Sequence, residues 1–193
     1  MTVGNLIPVL TTFIVVALAE LGDKSQLAVI TLSAKNKPKS VFLGSLLVFA
    51  LIDGISAIVG GSIGAYFPVL WINIACGIIF LAIGVYTIFS PGDLTVIIKE
   101  RSNVLLTSFF LVGALELGDK TQLAVIALAA EYSAPIQVFA GMILAFSLLT
   151  GVGVVFGALL CRYISRRYIK IGSGLVFLAF GIIYLFQATP KLV

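Results

Sequence analysis

The chain has 193 residues, of which 61% are hydrophobic and 10% charged, with a formal net charge of +4. Soluble domains are roughly 45–50% apolar and about 25% charged, so this balance argues against a soluble enzyme, a secreted disulfide scaffold or a nucleic-acid-binding domain. There is apolar material for about six bilayer spans of about 20 residues each and little else.

The N-terminal stretch has no basic region and no small-residue cleavage site, and reads as the start of a span rather than a cleavable signal peptide. Charges, prolines and polar clusters then delimit six apolar segments, at about 6–34, 41–65, 69–90, 103–130, 136–161 and 169–188. Helices are expected, because backbone exposed to lipid must satisfy its own hydrogen bonds. The runs are continuous rather than alternating, which argues against a barrel. The connections are short: KNKPK, YFP, SPGDLTVIIKERS, EYSAP and RYISRRY.

The first segment contains Glu20-Leu-Gly-Asp-Lys-Ser-Gln-Leu-Ala-Val-Ile30. The fourth repeats it as Glu116-Leu-Gly-Asp-Lys-Thr-Gln-Leu-Ala-Val-Ile126, with Ser25/Thr121 the one difference. Later matches, at an offset of 97 residues, include Val41-Phe42 with Val138-Phe139 and Phe80-Leu81-Ala82 with Phe177-Leu178-Ala179. The whole chain, 1–193, therefore reads as a single transmembrane domain built from two three-helix repeats, 1–92 and 93–193. An odd number of spans per repeat inserts the second copy upside down, so the fold class expected is an all-α polytopic membrane protein with two inverted repeats. Basic residues fall in the loops after the first, third and fifth spans (Lys35, Lys37, Lys39; Lys99, Arg101; Arg162, Arg166, Arg167, Lys170), with Lys191 on the other side. The positive-inside rule then puts those loops in the cytoplasm and both termini outside.

Ionisable residues inside a span are costly, roughly 2.5–3.5 kcal/mol each on insertion scales. Those expected here are Glu20, Asp23, Lys24, Asp53, Glu116, Asp119 and Lys120. In each motif the acids sit at i and i+3 and share a helix face. If the repeats bring the motifs together at mid-membrane, four carboxylates meet two ammonium groups, and one divalent cation neutralises the remainder. The absence of histidine, and two isolated cysteines (Cys76 and Cys161) that read as buried hydrophobes, restrict a metal site to oxygen ligands. The candidate ligands are Glu20, Asp23, Glu116 and Asp119 with the amide oxygens of Gln26 and Gln122 and the hydroxyls of Ser25 and Thr121. Such hard donors suit Mn²⁺, Ca²⁺ or Mg²⁺. Gly22 and Gly118 weaken the helix at each motif, where a break, a kink or a strong tilt is expected. Lys24 and Lys120 are candidates for charge balance or gating. Asp53, whose repeat counterpart is Thr150, either lines the pathway, relays a proton or caps a backbone break beside Gly54. The glycines Gly54, Gly60, Gly61, Gly64, Gly151, Gly153 and Gly157 are expected to allow close helix packing. One motif alone also reads as a structural ion cluster, but two near-identical copies with more acids than bases favour a site. Paired carboxylates next to lysine without a substrate domain do not point to an enzyme.

The two E-L-G-D-K-[ST] motifs, three spans apart, closely resemble the small membrane exchangers of manganese or calcium for protons, within the cation/calcium exchanger group. The resemblance runs over essentially the whole chain. It implies six helices, divalent cation transport and exchange with protons, with Glu20, Asp23, Glu116 and Asp119 as ligands. Eukaryotic members include Golgi and chloroplast proteins, often with a targeting segment and a long charged central loop. This chain looks like a compact bacterial member. The expectation is an exporter of Mn²⁺ first, or Ca²⁺, from the cytoplasm across a bacterial inner membrane. The partners are the cation, the proton and the bilayer, with no nucleic acid and no permanently bound cofactor. The alternatives are an exporter of amino acids or other small solutes, and a membrane scaffold that transports nothing.

Overall fold

The computed structural model describes residues 6–89, 103–163 and 166–188. They form eight helices: α1 (Ile7–Glu20), α2 (Lys24–Lys35), α3 (Pro38–Tyr66), α4 (Val69–Phe89), α5 (Val104–Glu116), α6 (Lys120–Tyr132), α7 (Pro135–Tyr163) and α8 (Arg166–Ala188). The first and fourth apolar segments are thus each two helices, and the interruption falls on the repeated motif in both. Of the three outcomes expected at Gly22 and Gly118, the backbone takes the break.

Among the described residues, Pro38–Tyr66, Val69–Phe89 and Pro135–Val155 are long and apolar enough to cross a membrane. Ile7–Glu20, Val104–Glu116 and Gly174–Ala188 are shorter apolar helices. At 1.5 Å rise per residue the 14 residues of α1 reach about 21 Å, short of a hydrocarbon core of about 30 Å. A broken helix crosses only when both of its pieces are counted.

Sequence sets the helix ends. Pro38 opens α3, where its missing N–H has no helical partner to lose. Asn103 caps α5, its side-chain oxygen accepting from Leu105 and Leu106 N–H at 3.1 and 3.3 Å. Ser133, at φ 46°, closes α6 in the left-handed region. Glu131 and Tyr132, expected in a loop, lie inside α6.

The helices exchange partners between the halves. α1 packs on α7 and α5 on α3, while α4 lies along α8. Gly44 of α3 faces the Leu105 carbonyl and Ser108 of α5; Gly141 of α7 faces the Val9 carbonyl and Thr12 of α1. Gly54 faces the Phe139 ring as Gly151 faces that of Phe42. Phe49 stacks on its repeat counterpart Phe146 with ring centroids 3.8 Å apart, and Phe80 on Phe177 at 5.9 Å. A Cβ at Gly44 or Gly141 would enter a backbone carbonyl, so these helices approach as closely as they do because the side chain is absent. Gly60 and Gly64 press likewise on the Ile126 and Ala130 carbonyls of α6. Gly157 lies outside the described side chains, as do Cys161 and the basic residues Lys35, Arg162, Arg166, Arg167 and Lys170. Lys99, Arg101 and Lys191 lie outside the described residues altogether.

The core is apolar and aromatic, with Phe49, Phe80, Phe146 and Phe177 fully buried. The outer surface is apolar too: Leu47, Leu51, Ile55 and Ile58 form an exposed stripe along α3. A soluble monomer rarely shows such a stripe; lipid accepts it without penalty. Cys76 is buried and free, its thiol donating to the Ala127 carbonyl at 3.3 Å.

Candidate functional site

The two breaks have the same construction. After Glu20, Leu21 adopts φ −56°, ψ 114°, Gly22 turns to φ 71° and Asp23 to φ −77°, ψ 171°. After Glu116 the values are φ −60°, ψ 116° at Leu117, φ 77° at Gly118 and φ −79°, ψ 167° at Asp119. In each, the Asp N–H donates to the Glu carbonyl at 3.0 Å. This is a type II turn, whose third position requires a positive φ and so selects glycine. The glycine N–H, which would lose its helical partner, donates instead to a glutamine four residues on: Gly22 to Gln26 Oε1 at 2.6 Å, Gly118 to Gln122 Oε1 at 2.8 Å. The hexapeptide and its glutamine therefore encode a turn between two helices together with its repair.

The turns bring carboxylates of both halves together. An oxygen from each of Glu20, Glu116 and Asp119 lies within 4.8 Å of the others. Oxygens around one Ca²⁺ at 2.3–2.6 Å stand at most about 5 Å apart, so the three fit a single ion. Glu20 and Glu116 are buried, as are Ser25, Thr121 and Asp53. Both Glu20 oxygens are engaged: Ser25 Oγ donates to Oε2 at 2.6 Å, and Thr121 Oγ1, from the other half, donates to Oε1 at 2.6 Å. Neither Glu116 oxygen has a hydrogen-bond partner, and neither oxygen of Asp53 has one. A buried polar atom without a partner loses its hydration uncompensated, and a proton or a cation is what these oxygens are able to take.

Asp23 is drawn off elsewhere. Its carboxylate meets Lys120 Nζ at 2.6 Å, and the same ammonium lies 3.3 Å from Asp119. Lys24, the repeat counterpart of Lys120, is half-buried and forms no ion pair among the described residues. Gln26 and Gln122 spend an amide oxygen on the backbone breaks. Asp53 sits on α3, within electrostatic reach of Glu20, Asp119 and Glu116; its counterpart Thr150 is also buried.

A polar contact that the sequence did not announce lies near the far end of α6. Asn73 of α4, its amide nitrogen turned toward Glu131, donates to both carboxylate oxygens, at 3.0 Å to Oε1. Tyr132 Oη donates to Thr11 Oγ1 at 3.2 Å. A lone asparagine in the apolar run of α4 was the available signal.

An all-helical, lipid-compatible fold with a buried multi-carboxylate centre at two helix breaks defines a multi-pass membrane protein. A family model described as "Divalent cation/proton antiporter GDT1" matches residues 8–93 and 104–192, and the chain belongs to that family. Similar proteins include GDT1-like protein 1, chloroplastic, of Oryza sativa subsp. japonica, 26% identical over 92% of this chain and 61% of its own length. The divalent cation/proton antiporter GDT1 of Saccharomyces cerevisiae is 25% identical over 90% of this chain and 81% of its own. A GDT1-like protein of Synechocystis is 26% identical over 88% and 92%. The chain thus spans about three fifths of the length of the rice relatives and most of the Synechocystis protein. No solved structure matches.

Proposed function

We propose that the protein is a secondary active transporter that exports a divalent cation from the cytoplasm in exchange for protons, with Mn²⁺ as the first substrate and Ca²⁺ as the alternative. The observation that carries the reading is the trio of Glu20, Glu116 and Asp119 oxygens within 4.8 Å of one another, two of them on buried carboxylates. An all-oxygen set of this kind suits a hard divalent ion. Family membership supports cation transport.

In this reading Glu20, Glu116 and Asp119 bind the cation, and Asp23 joins them when released from Lys120. Ser25 and Thr121 hold Glu20 in position with their hydroxyls, and their remaining lone pairs are available to the ion. Gln26 and Gln122 keep the two turns open. Protons and the cation compete for the same oxygens, so uptake of one expels the other and a single site couples the two fluxes. Lys24 and Lys120 balance charge, and Asp53 lines the path. The repeats 1–92 and 93–193 insert in opposite senses, which places both breaks near the membrane midplane. The site then opens to either side as one half rocks against the other. The protein sits in a bacterial inner membrane with both termini outside.

The test is Mn²⁺ flux in proteoliposomes under an imposed pH gradient, with Ca²⁺ and Mg²⁺ in parallel. Wild type is expected to move Mn²⁺ against the proton flow, and Glu20→Gln or Asp119→Asn to abolish that flux in protein that still folds. Undiminished Mn²⁺ flux in either variant overturns the ligand assignment.

A further inference from the structure

The two motifs are nearly identical in sequence, yet they are used differently. Two donors of the second motif cross to the first: Thr121 to Glu20 at 2.6 Å and Lys120 to Asp23 at 2.6 Å. Ser25 bonds within its own motif, to Glu20. Lys24 makes no ion pair among the described residues, although the residues that would mirror those contacts, Glu116 and Asp119, are present. Glu116 is left with both oxygens bare.

Charge accounts for the asymmetry. Lys120 has a side chain only 9% exposed and stands between Asp23 and Asp119. An ammonium there already neutralises part of the carboxylate cluster. A second ammonium, from Lys24, would have to share the same carboxylates with a like charge a few ångströms away. At that spacing in a poorly solvated interior, like charges repel strongly. The site therefore takes one lysine at a time. Because the halves carry the same acids and lysines at the same turns, the arrangement with Lys24 across to Asp119 and Lys120 withdrawn is built from equivalent contacts.

We infer that Lys120 is a tethered counter-cation of the carboxylate site: it holds the place of the divalent ion while the site is empty, and alternates with Lys24 between the two mirror-related arrangements. This inference rests on the proposed cation site. It gives the lysines a defined part in the cycle. An incoming divalent ion must displace an ammonium from Asp119 and Asp23, and departure of the ion lets one lysine return. The empty transporter is thereby spared an uncompensated cluster of buried negative charge.

The experiment uses the full chain in nanodiscs. Calorimetric titration with Mn²⁺ first establishes binding; an absence of heat overturns the cation-site reading itself. Reductive methylation with residue-resolved mass spectrometry then reports the two amines. Without metal, Lys120 is expected to react at least about tenfold more slowly than Lys24, and saturating Mn²⁺ to remove most of that difference, as a displaced equilibrium requires. If Mn²⁺ binds and Lys120 stays as protected as before, the inference is overturned and the cation site stands. Lys120→Gln provides the second arm. It is expected to protect Lys24, which enters the vacated position, with saturating Mn²⁺ restoring Lys24's reactivity, and the double variant Lys24→Gln/Lys120→Gln is expected to bind Mn²⁺ about tenfold more tightly, through loss of both competitors. A Lys120→Gln protein that melts like wild type and leaves Lys24 as reactive as before, or a folded double variant that binds no more tightly than wild type, also overturns the inference.

Discussion

Glu116 is fully buried and neither of its oxygens receives a hydrogen bond. A carboxylate in that position is kept at the expense of stability, because an unpaired buried charge is among the most costly groups in a fold. Glu116→Gln is therefore expected to melt at or above the wild-type temperature while Mn²⁺ flux in proteoliposomes is lost. A drop in melting temperature would mark Glu116 as structural. Glu20 differs, since its two oxygens already accept from Ser25 and Thr121. Thr121→Val removes the bond that crosses between the halves and is expected to destabilise the protein by about 1–3 kcal/mol, read from denaturation in detergent. The identity of these residues as a cluster was legible in the sequence, from charge inside apolar runs. Their inequivalence was not: nothing in two copies of one motif says which glutamate is bonded and which is bare.

The broken helix is the element that makes the site. Gly118 has φ 77°, and a Cβ placed on it meets nothing within 4 Å. The cost of Gly118→Ala is then backbone strain alone, about 1–2 kcal/mol for a left-handed residue. That loss is expected in the thermal melt, with reduced transport because the turn sets the spacing of Glu116 and Asp119. Gln26→Ala removes the acceptor at 2.6 Å from the Gly22 N–H and is expected to cost about 1 kcal/mol. The break was foreshadowed by a glycine and by segments longer than a span needs. That Gln26 and Gln122 serve it was not. Their spacing from the glycine, i+4, is also the ordinary spacing of a helix face, so periodicity cannot separate a cap from a ligand.

At the scale of the whole molecule, the halves are held by reciprocal contacts. Gly44 lies against α5 as Gly141 lies against α1. Gly141→Val is expected to part α7 from α1 and cost about 1–3 kcal/mol through overpacking, seen as a lower melting temperature and loss of monodisperse protein. The proposed topology makes a separate prediction. With Cys76 and Cys161 replaced, a cysteine at Asn36 is expected to label from the cytoplasm and one at Ser133 from outside. Labelling of both from one face would end the inverted arrangement.

The sequence by itself determined the membrane setting, the duplication, the helical segments to within a few residues, and the hexapeptides as the place where charge enters the apolar runs. These follow from composition and local pattern, which act over a turn or two of helix. Only the tertiary structure decided that Glu20, Glu116 and Asp119 converge while Asp23 goes to Lys120, that Asp53 of α3 lies within their field, and that Lys24 stands aside. Those outcomes depend on packing between helices about a hundred residues apart. They also depend on an ion pair across the halves that Lys120 makes and Lys24 does not, which two nearly identical motifs cannot announce.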